Sequence, residues 1–167
     1  MAARAASNLW RVRLWAYAPL VIWIGVIFFF SSSQGSMSQT SLFIGPLLQF
    51  LFPEMPDETR LAVHGLVRKA AHITEYAVLA MLAVRTIGLT TNIGTWPTWL
   101  ISLTIVASVA ALDEFNQSFL PQRTGSTYDV LIDIAGGILG ILLAALISQW
   151  STRRSMDRRQ TPSAAHR

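Results

Sequence analysis

The sequence predicts an all-α, polytopic membrane protein: a bundle of four transmembrane helices with a short interfacial helix in the first outer loop. Three observations carry this expectation. The 167 residues are 52% hydrophobic and only 13% charged, with a mean hydropathy of +0.44, whereas a typical soluble domain carries about 25% charged residues. Four helix-length stretches, at about 14–33, 66–87, 96–112 and 129–150, could cross a bilayer. The arginines gather towards the two chain ends, which beside apolar segments is a topology signal; binding of nucleic acid is not expected. The chain has no cysteine, which removes disulfides and thiolate metal sites from consideration.

The first span follows Arg4, Arg11 and Arg13 and is free of charge over residues 14–30. It reaches across the hydrocarbon if flanking residues snorkel or if Ser31 to Ser33 are included, with Trp10, Trp15 and Tyr17 as interfacial anchors. A signal peptide begins in a similar way, but this run is long, rich in aromatics and lacks a clean A-x-A cleavage site. Between 31 and 57 the apolar period is lost and Pro46, Pro53 and Pro56 accumulate. A loop is expected there, with the interfacial helix at 42–52, too short to span.

Asp57 and Glu58 mark the start of the second long helix, expected to run to about Ile87, because acids are favoured in a first helical turn. Its uninterrupted apolar run is only 77–84. Arg68, His72, Glu75 and Leu79 fall along one stripe, with Tyr76 beside it. Such a stripe must face protein or water rather than lipid. A network of Arg68, His72 and Glu75 within this one helix is one reading of it.

A short loop at 86–95 leads to the third span, uncharged from Trp96 to Leu112 and expected to end on Asp113 and Glu114. Pro97 is tolerated so close to a helix start because its missing N–H has no intrahelical partner there. A turn with Pro121, Arg123 and Gly125 precedes the fourth span. On that helix Asp129, Asp133, Gly136, Gly137 and Gly140 share one face. Gly136-x-x-x-Gly140 permits close helix approach; it is a weak signal for a homodimer, and its sharper use is to bring another helix's backbone near the level of Asp133. Residues 1–150 thus form the membrane domain. Residues 151–167, with Arg153, Arg154, Arg158, Arg159 and Arg167, read as a basic, disordered tail that sets topology and touches anionic lipid.

Four spans place both termini on one side, together with nine of the thirteen basic residues: Arg4, Arg11, Arg13, Arg85 and the five tail arginines. By the positive-inside rule that side is the cytoplasm. The start of the second span, the end of the third and the start of the fourth then meet at the outer face. Arg68, Lys69, His72, Glu75, Tyr76, Asp113, Glu114, Gln117, Arg123, Asp129 and Asp133 are the candidate binding residues of one outward-facing polar pocket. Each ionised group at the bilayer centre costs roughly 2.5–3.5 kcal/mol on insertion scales, so this many polar residues point to a function.

The stretches KAAHITEYAVLA at 69–80, DEFNQSFLPQRTGSTYDVLIDIAGGILG at 113–140 and FSSSQ at the end of the first span resemble the VanZ-like membrane proteins. The shared pattern is a basic residue and His followed by Glu-Tyr, then Asp-Glu, Gln, an Arg after Pro, and an Asp opening a Gly-rich last helix. The likeness extends over roughly residues 15–148. Two departures stand out: Pro121-Gln122-Arg123 replaces the family's usual Pro-Gly-Arg, and Asp133 stands where Asn is frequent. The resemblance implies a multi-pass protein of the bacterial cytoplasmic membrane and cell envelope, in a family whose namesake is associated with teicoplanin resistance.

Four functions are open at this point. The pocket could bind or remodel an anionic lipid or lipid-linked cell-wall intermediate, Arg123 contacting phosphate bidentately while Asp113, Glu114 and Asp129 orient the headgroup. The His and carboxylates could perform acid–base or metal-assisted chemistry on such a headgroup, although no established catalytic motif is present. A small transporter is a third reading, without the inverted repeats common in that class, and a purely structural ion network is a fourth. No cofactor and no metal site are expected, since a single His at this position is a poor zinc ligand set.

Overall fold

A computed structural model describes residues 2–32, 37–119 and 127–160. It contains five helices among these residues: α1 (Ala2–Ser31), α2 (Met37–Leu51), α3 (Asp57–Thr90), α4 (Thr95–Gln117) and α5 (Thr127–Gln160). Four segments are long and apolar enough to cross a membrane, namely Trp10–Ser31, Asp57–Thr90, Thr95–Gln117 and Thr127–Arg154. The protein is an all-α polytopic bundle.

The axis of the bundle is α3, which packs against every other helix and most extensively against α5. The core is made of Leu20 and Ile27 from α1, Tyr76, Leu79, Ala80 and Ala83 from α3, Val106, Val109 and Ala110 from α4, and Ile141 from α5. The alanines matter because helices in lipid gain little from hiding apolar surface; they associate through close packing of small residues. The same logic governs the α3–α5 seam. A Cβ placed on Gly136 would lie 2.6 Å from the Ile73 carbonyl oxygen and 2.9 Å from its Cα, and one on Gly140 would overlap the Ala77 carbonyl. Only glycine lets α5 approach α3 this closely, so the Gly-x-x-x-Gly face serves an intramolecular contact.

Hydrogen bonds fix how the ends meet. Thr86 Oγ1 donates to the Ala16 carbonyl at 2.9 Å and Tyr17 Oη lies 3.4 Å from Thr90 Oγ1, so the start of the first span lies beside the end of α3. At the opposite end Gln117 joins Ser31. Exposed Trp10, Trp15, Trp96 and Trp150 all belong to the first of these ends, the position of an interfacial aromatic belt. Large apolar side chains such as Leu100, Leu131 and Leu146 remain exposed along the helices, as lipid-facing surface requires.

Helix boundaries differ from the sequence expectation in identifiable ways. The first outer loop contains a helix, but α2 starts at Met37 rather than near 42; no Gly or Pro stands between Met37 and Gly45. The expected loop at 86–95 shrinks, because α3 continues to Thr90 and Thr91 Oγ1 bonds back to the Ile87 carbonyl at 2.8 Å. Gly94, with φ +82°, turns the chain into α4. That helix does not stop at the acids but runs on to Gln117. Residues 151–160, read as part of a disordered tail, are the last turns of α5: Ser151 and Thr152 bond back to Ile147 and Ser148, and the Arg154 guanidinium lies 3.8 Å over the Trp150 ring. Residues 161–167 lie outside the described residues.

Candidate functional site

The polar residues form two connected clusters where the middle of α3 meets the first turns of α5 and the ends of α1 and α4. The first sits on the α3–α5 seam. One turn beyond the close approach at Gly136, His72 Nδ1 faces Asp133 Oδ1 at 3.1 Å. Asp133 has no exposed surface, and its Oδ2 has no hydrogen-bond partner among the described residues. With Asp133 ionised, its Oδ1 accepts from the Nδ1–H of His72, and Nε2 is then the nitrogen left for other chemistry. Arg68, Lys69, Asp129 and Ile132 complete an indentation around this pair, with a volume of about 10 Å³, room for one water-sized group. Lys69 Nζ lies 5.5 Å from the centre of the Tyr128 ring, a cation–π contact that holds the ammonium at the mouth.

The second cluster centres on Asp113, which is fully buried. Its Oδ2 accepts from Gln117 Nε2 at 2.9 Å and from Tyr76 Oη at 3.4 Å. Gln117 also donates to Ser31 Oγ at 2.5 Å, so its amide ties α1 to α4, and α3 joins the cluster through Tyr76 on the Asp113 carboxylate. Gln117 lies one helical turn after Asp113, which is why α4 must continue past the acids to build the site. Glu114 is buried beside Asp113. The rings of His72 and Tyr76 stack with centroids 6.5 Å apart and 19° between planes, so the two clusters adjoin along α3.

Of the residues singled out in the sequence, Lys69, His72, Asp129 and Asp133 are gathered with Arg68 around the indentation. Tyr76, Asp113 and Gln117 make the second cluster. Glu75 is half-buried, and its carboxylate makes no hydrogen bond among the described residues; its backbone carbonyl accepts from Trp23 Nε1 at 2.9 Å. The network within a single helix is thus replaced by one between helices, His72 choosing Asp133 on α5 over Glu75 one turn away. Arg123 lies outside the described residues. Sequence reasoning missed Trp23 and Ser31 as partners; the only signal is a polar group on an otherwise lipid-compatible helix, and FSSSQ holds Ser31 without indicating that role. Among the described residues, no three His, Asp or Glu side chains are grouped to hold a metal ion.

This arrangement places cationic donors at a mouth and carboxylates behind them, within a helix bundle that must otherwise exclude charge. The model of the VanZ/LLP1 family matches residues 15–148. The chain belongs to the VanZ/LLP1 family. The match runs from within α1 to within α5 and so takes in every residue of both clusters. Neither the curated proteins nor the solved structures contain a match to this VanZ/LLP1 chain. With four apolar spans, it is a multi-pass membrane protein.

Proposed function

We propose that this VanZ/LLP1 protein acts in the bacterial cell envelope by binding or remodelling an anionic lipid, or a lipid-linked cell-wall component, through the polar site between α3 and α5. The observation that carries the proposal is the position of Arg68 and Lys69 on the rim of the indentation that holds His72 and Asp133. An arginine fork matches two phosphate oxygens, an ammonium supplies a point charge, and Asp129 can receive a sugar hydroxyl or amine. The small indentation suits one headgroup oxygen, while the exposed apolar faces of α3 and α5 suit the attached chains. With Arg11, Arg13, Arg85, Arg153 and Arg154 at the opposite end, the positive-inside rule directs this site outward from the cytoplasmic membrane, both termini lying in the cytoplasm. Binding such a component at the outer leaflet would alter susceptibility to glycopeptides such as teicoplanin.

One observation favours a second reading. The His72–Asp133 pair leaves Nε2 oriented by the carboxylate on Nδ1, an acid–base geometry that could act on the bound headgroup. Both readings are tested in a teicoplanin-sensitive Gram-positive host expressing wild type, Arg68→Gln/Lys69→Gln and His72→Gln at matched membrane levels. Binding predicts protection by wild type that the rim variant loses. If only the His72 variant fails while lipid is still bound, acid–base chemistry gains; no protection from well-expressed wild type removes the resistance role.

A further inference from the structure

At the opposite end of the bundle, Arg11 of α1 and Arg85 of α3 line one open pocket of about 440 Å³ with Val12, Trp15, Ala16 and Leu89. Its volume lies within the ordinary range of small-molecule sites. The walls are held together by the buried Thr86–Ala16 hydrogen bond and by Tyr17 against Thr90. Neither guanidinium has a carboxylate within 4.0 Å among the described residues, and of the nine acids in the chain only Asp157 belongs to this end in sequence. Two like charges facing one cavity repel, and the arrangement calls for a shared anion.

Depth in the membrane says which kind. Arg11 opens the apolar span, and Arg85 lies five residues before the end of α3, roughly 7.5 Å along its axis. Both stand at the level of exposed Trp10, Trp15, Trp96 and Trp150, where an aromatic belt marks the headgroup region. Of the apolar lining, Trp15 lies one turn deeper than Arg11, while Val12 and Leu89 flank the charges at their own level or nearer the helix end. A free phosphate would use the arginines and leave that lining wet; an amphiphile uses both. We infer that Arg11 and Arg85 form a binding site for the phosphate of an anionic phospholipid in the leaflet at this end, its glycerol lying between Val12 and Leu89 and its upper acyl chain against Trp15. The site shares no residue with the cluster around His72 and Asp133 and stands whether or not the proposal made for that cluster does.

The test is native mass spectrometry of the full chain in non-ionic detergent, titrated with dioleoyl phosphatidylglycerol or dioleoyl phosphatidylcholine. A basic residue near the surface strengthens anionic-lipid binding about fivefold, so Arg11→Gln/Arg85→Gln should weaken phosphatidylglycerol binding by roughly 25-fold. Arg153→Gln/Arg154→Gln removes the same charge at the same end but outside the pocket and should give the clearly smaller loss; equal losses in the two variants would reduce the effect to general surface charge and overturn the assignment. Should the pocket variant not fold, brominated lipids decide in the intact protein: brominated phosphatidylglycerol should quench tryptophan emission more than brominated phosphatidylcholine, and Trp15→Phe should remove that excess. Equal binding of the two lipids, an Arg11/Arg85 variant that binds like wild type, or inorganic phosphate binding as tightly as the lipid would each overturn the assignment.

Discussion

Replacing Gly140 by alanine adds one methyl group where α5 meets the backbone of α3, and the geometry gives the cost an order. The new Cβ would overlap the Ala77 carbonyl oxygen and lie 2.8 Å from Ala77 Cα; neither can rotate away, so the helices must separate. Gly136→Ala meets Ile73 backbone at 2.6 and 2.9 Å, with the same consequence. Gly137→Ala instead meets a side chain, Val106, with Cγ1 at 2.6, Cγ2 at 3.2 and Cβ at 3.3 Å; this buried, β-branched residue has little rotamer freedom but yields more than backbone does. Gly25, Gly65 and Gly88 have nothing within 4 Å of an added Cβ, and alanine there gains about 0.5–1 kcal/mol of helix propensity. Overpacking typically costs about 1–3 kcal/mol. Gly136→Ala and Gly140→Ala should fall near the upper part of that range, Gly137→Ala near the lower, and Gly25→Ala at or above wild-type stability. Reversible unfolding in mixed micelles, followed by tryptophan fluorescence, measures the series. A Gly140→Ala protein as stable as Gly25→Ala, or Gly137→Ala as the most damaged member, would refute the packing argument. Because Asp133 lies one turn from Gly136, the seam variants should also lose the lipid binding proposed for the site between α3 and α5.

Three further outcomes follow from the polar clusters. His72→Leu leaves Asp133 buried without its donor and should cost about 3 kcal/mol, while His72→Leu/Asp133→Leu should recover most of the stability yet stay inactive; recovery of activity as well would make the pair purely structural. Gln117→Leu removes the amide shared by Asp113 and Ser31 and should lower stability by about 1–2 kcal/mol, read in the same unfolding assay, whereas Asn116→Leu, on the exposed side of α4, should not. Since the chain has no cysteine, Lys69→Cys and Arg154→Cys are clean topology probes. A membrane-impermeant maleimide should label position 69 in intact cells and position 154 only after lysis; the reverse pattern would invert the orientation.

The spans were legible because hydrocarbon imposes a composition, and four stretches meet it. The polar stripe on α3 was legible too, since charge on such a helix has to face protein. Partner choice was not. Residues 72 and 75 are neighbours on any helix, but His72 turns to Asp133 because Gly136 and Gly140 draw α5 against α3, and that distance is a tertiary property. The motif announced that some helix would come close without saying which one. Acids at 113 and 114 read as the end of a hydrocarbon span, yet the helix continues because Gln117, one turn on, bonds Asp113 from inside the bundle. Ser31 and Trp23 were illegible as site residues: a single hydroxyl or indole on an apolar helix is compatible with lipid, and only the fold brings them to Gln117 and the Glu75 carbonyl.

Photo-crosslinking from the rim of the site between α3 and α5 tests lipid binding there without disturbing the polar clusters. Tyr128 is exposed and its ring lies beside Lys69, so a benzoylphenylalanine placed at position 128 samples what the site holds in living membranes. Adducts should be enriched in phosphate-bearing anionic or lipid-linked molecules relative to the bulk membrane, and Arg68→Gln/Lys69→Gln should lose that enrichment. Adducts that mirror bulk lipid composition, or an enrichment indifferent to the two rim cations, would contradict lipid binding at this site.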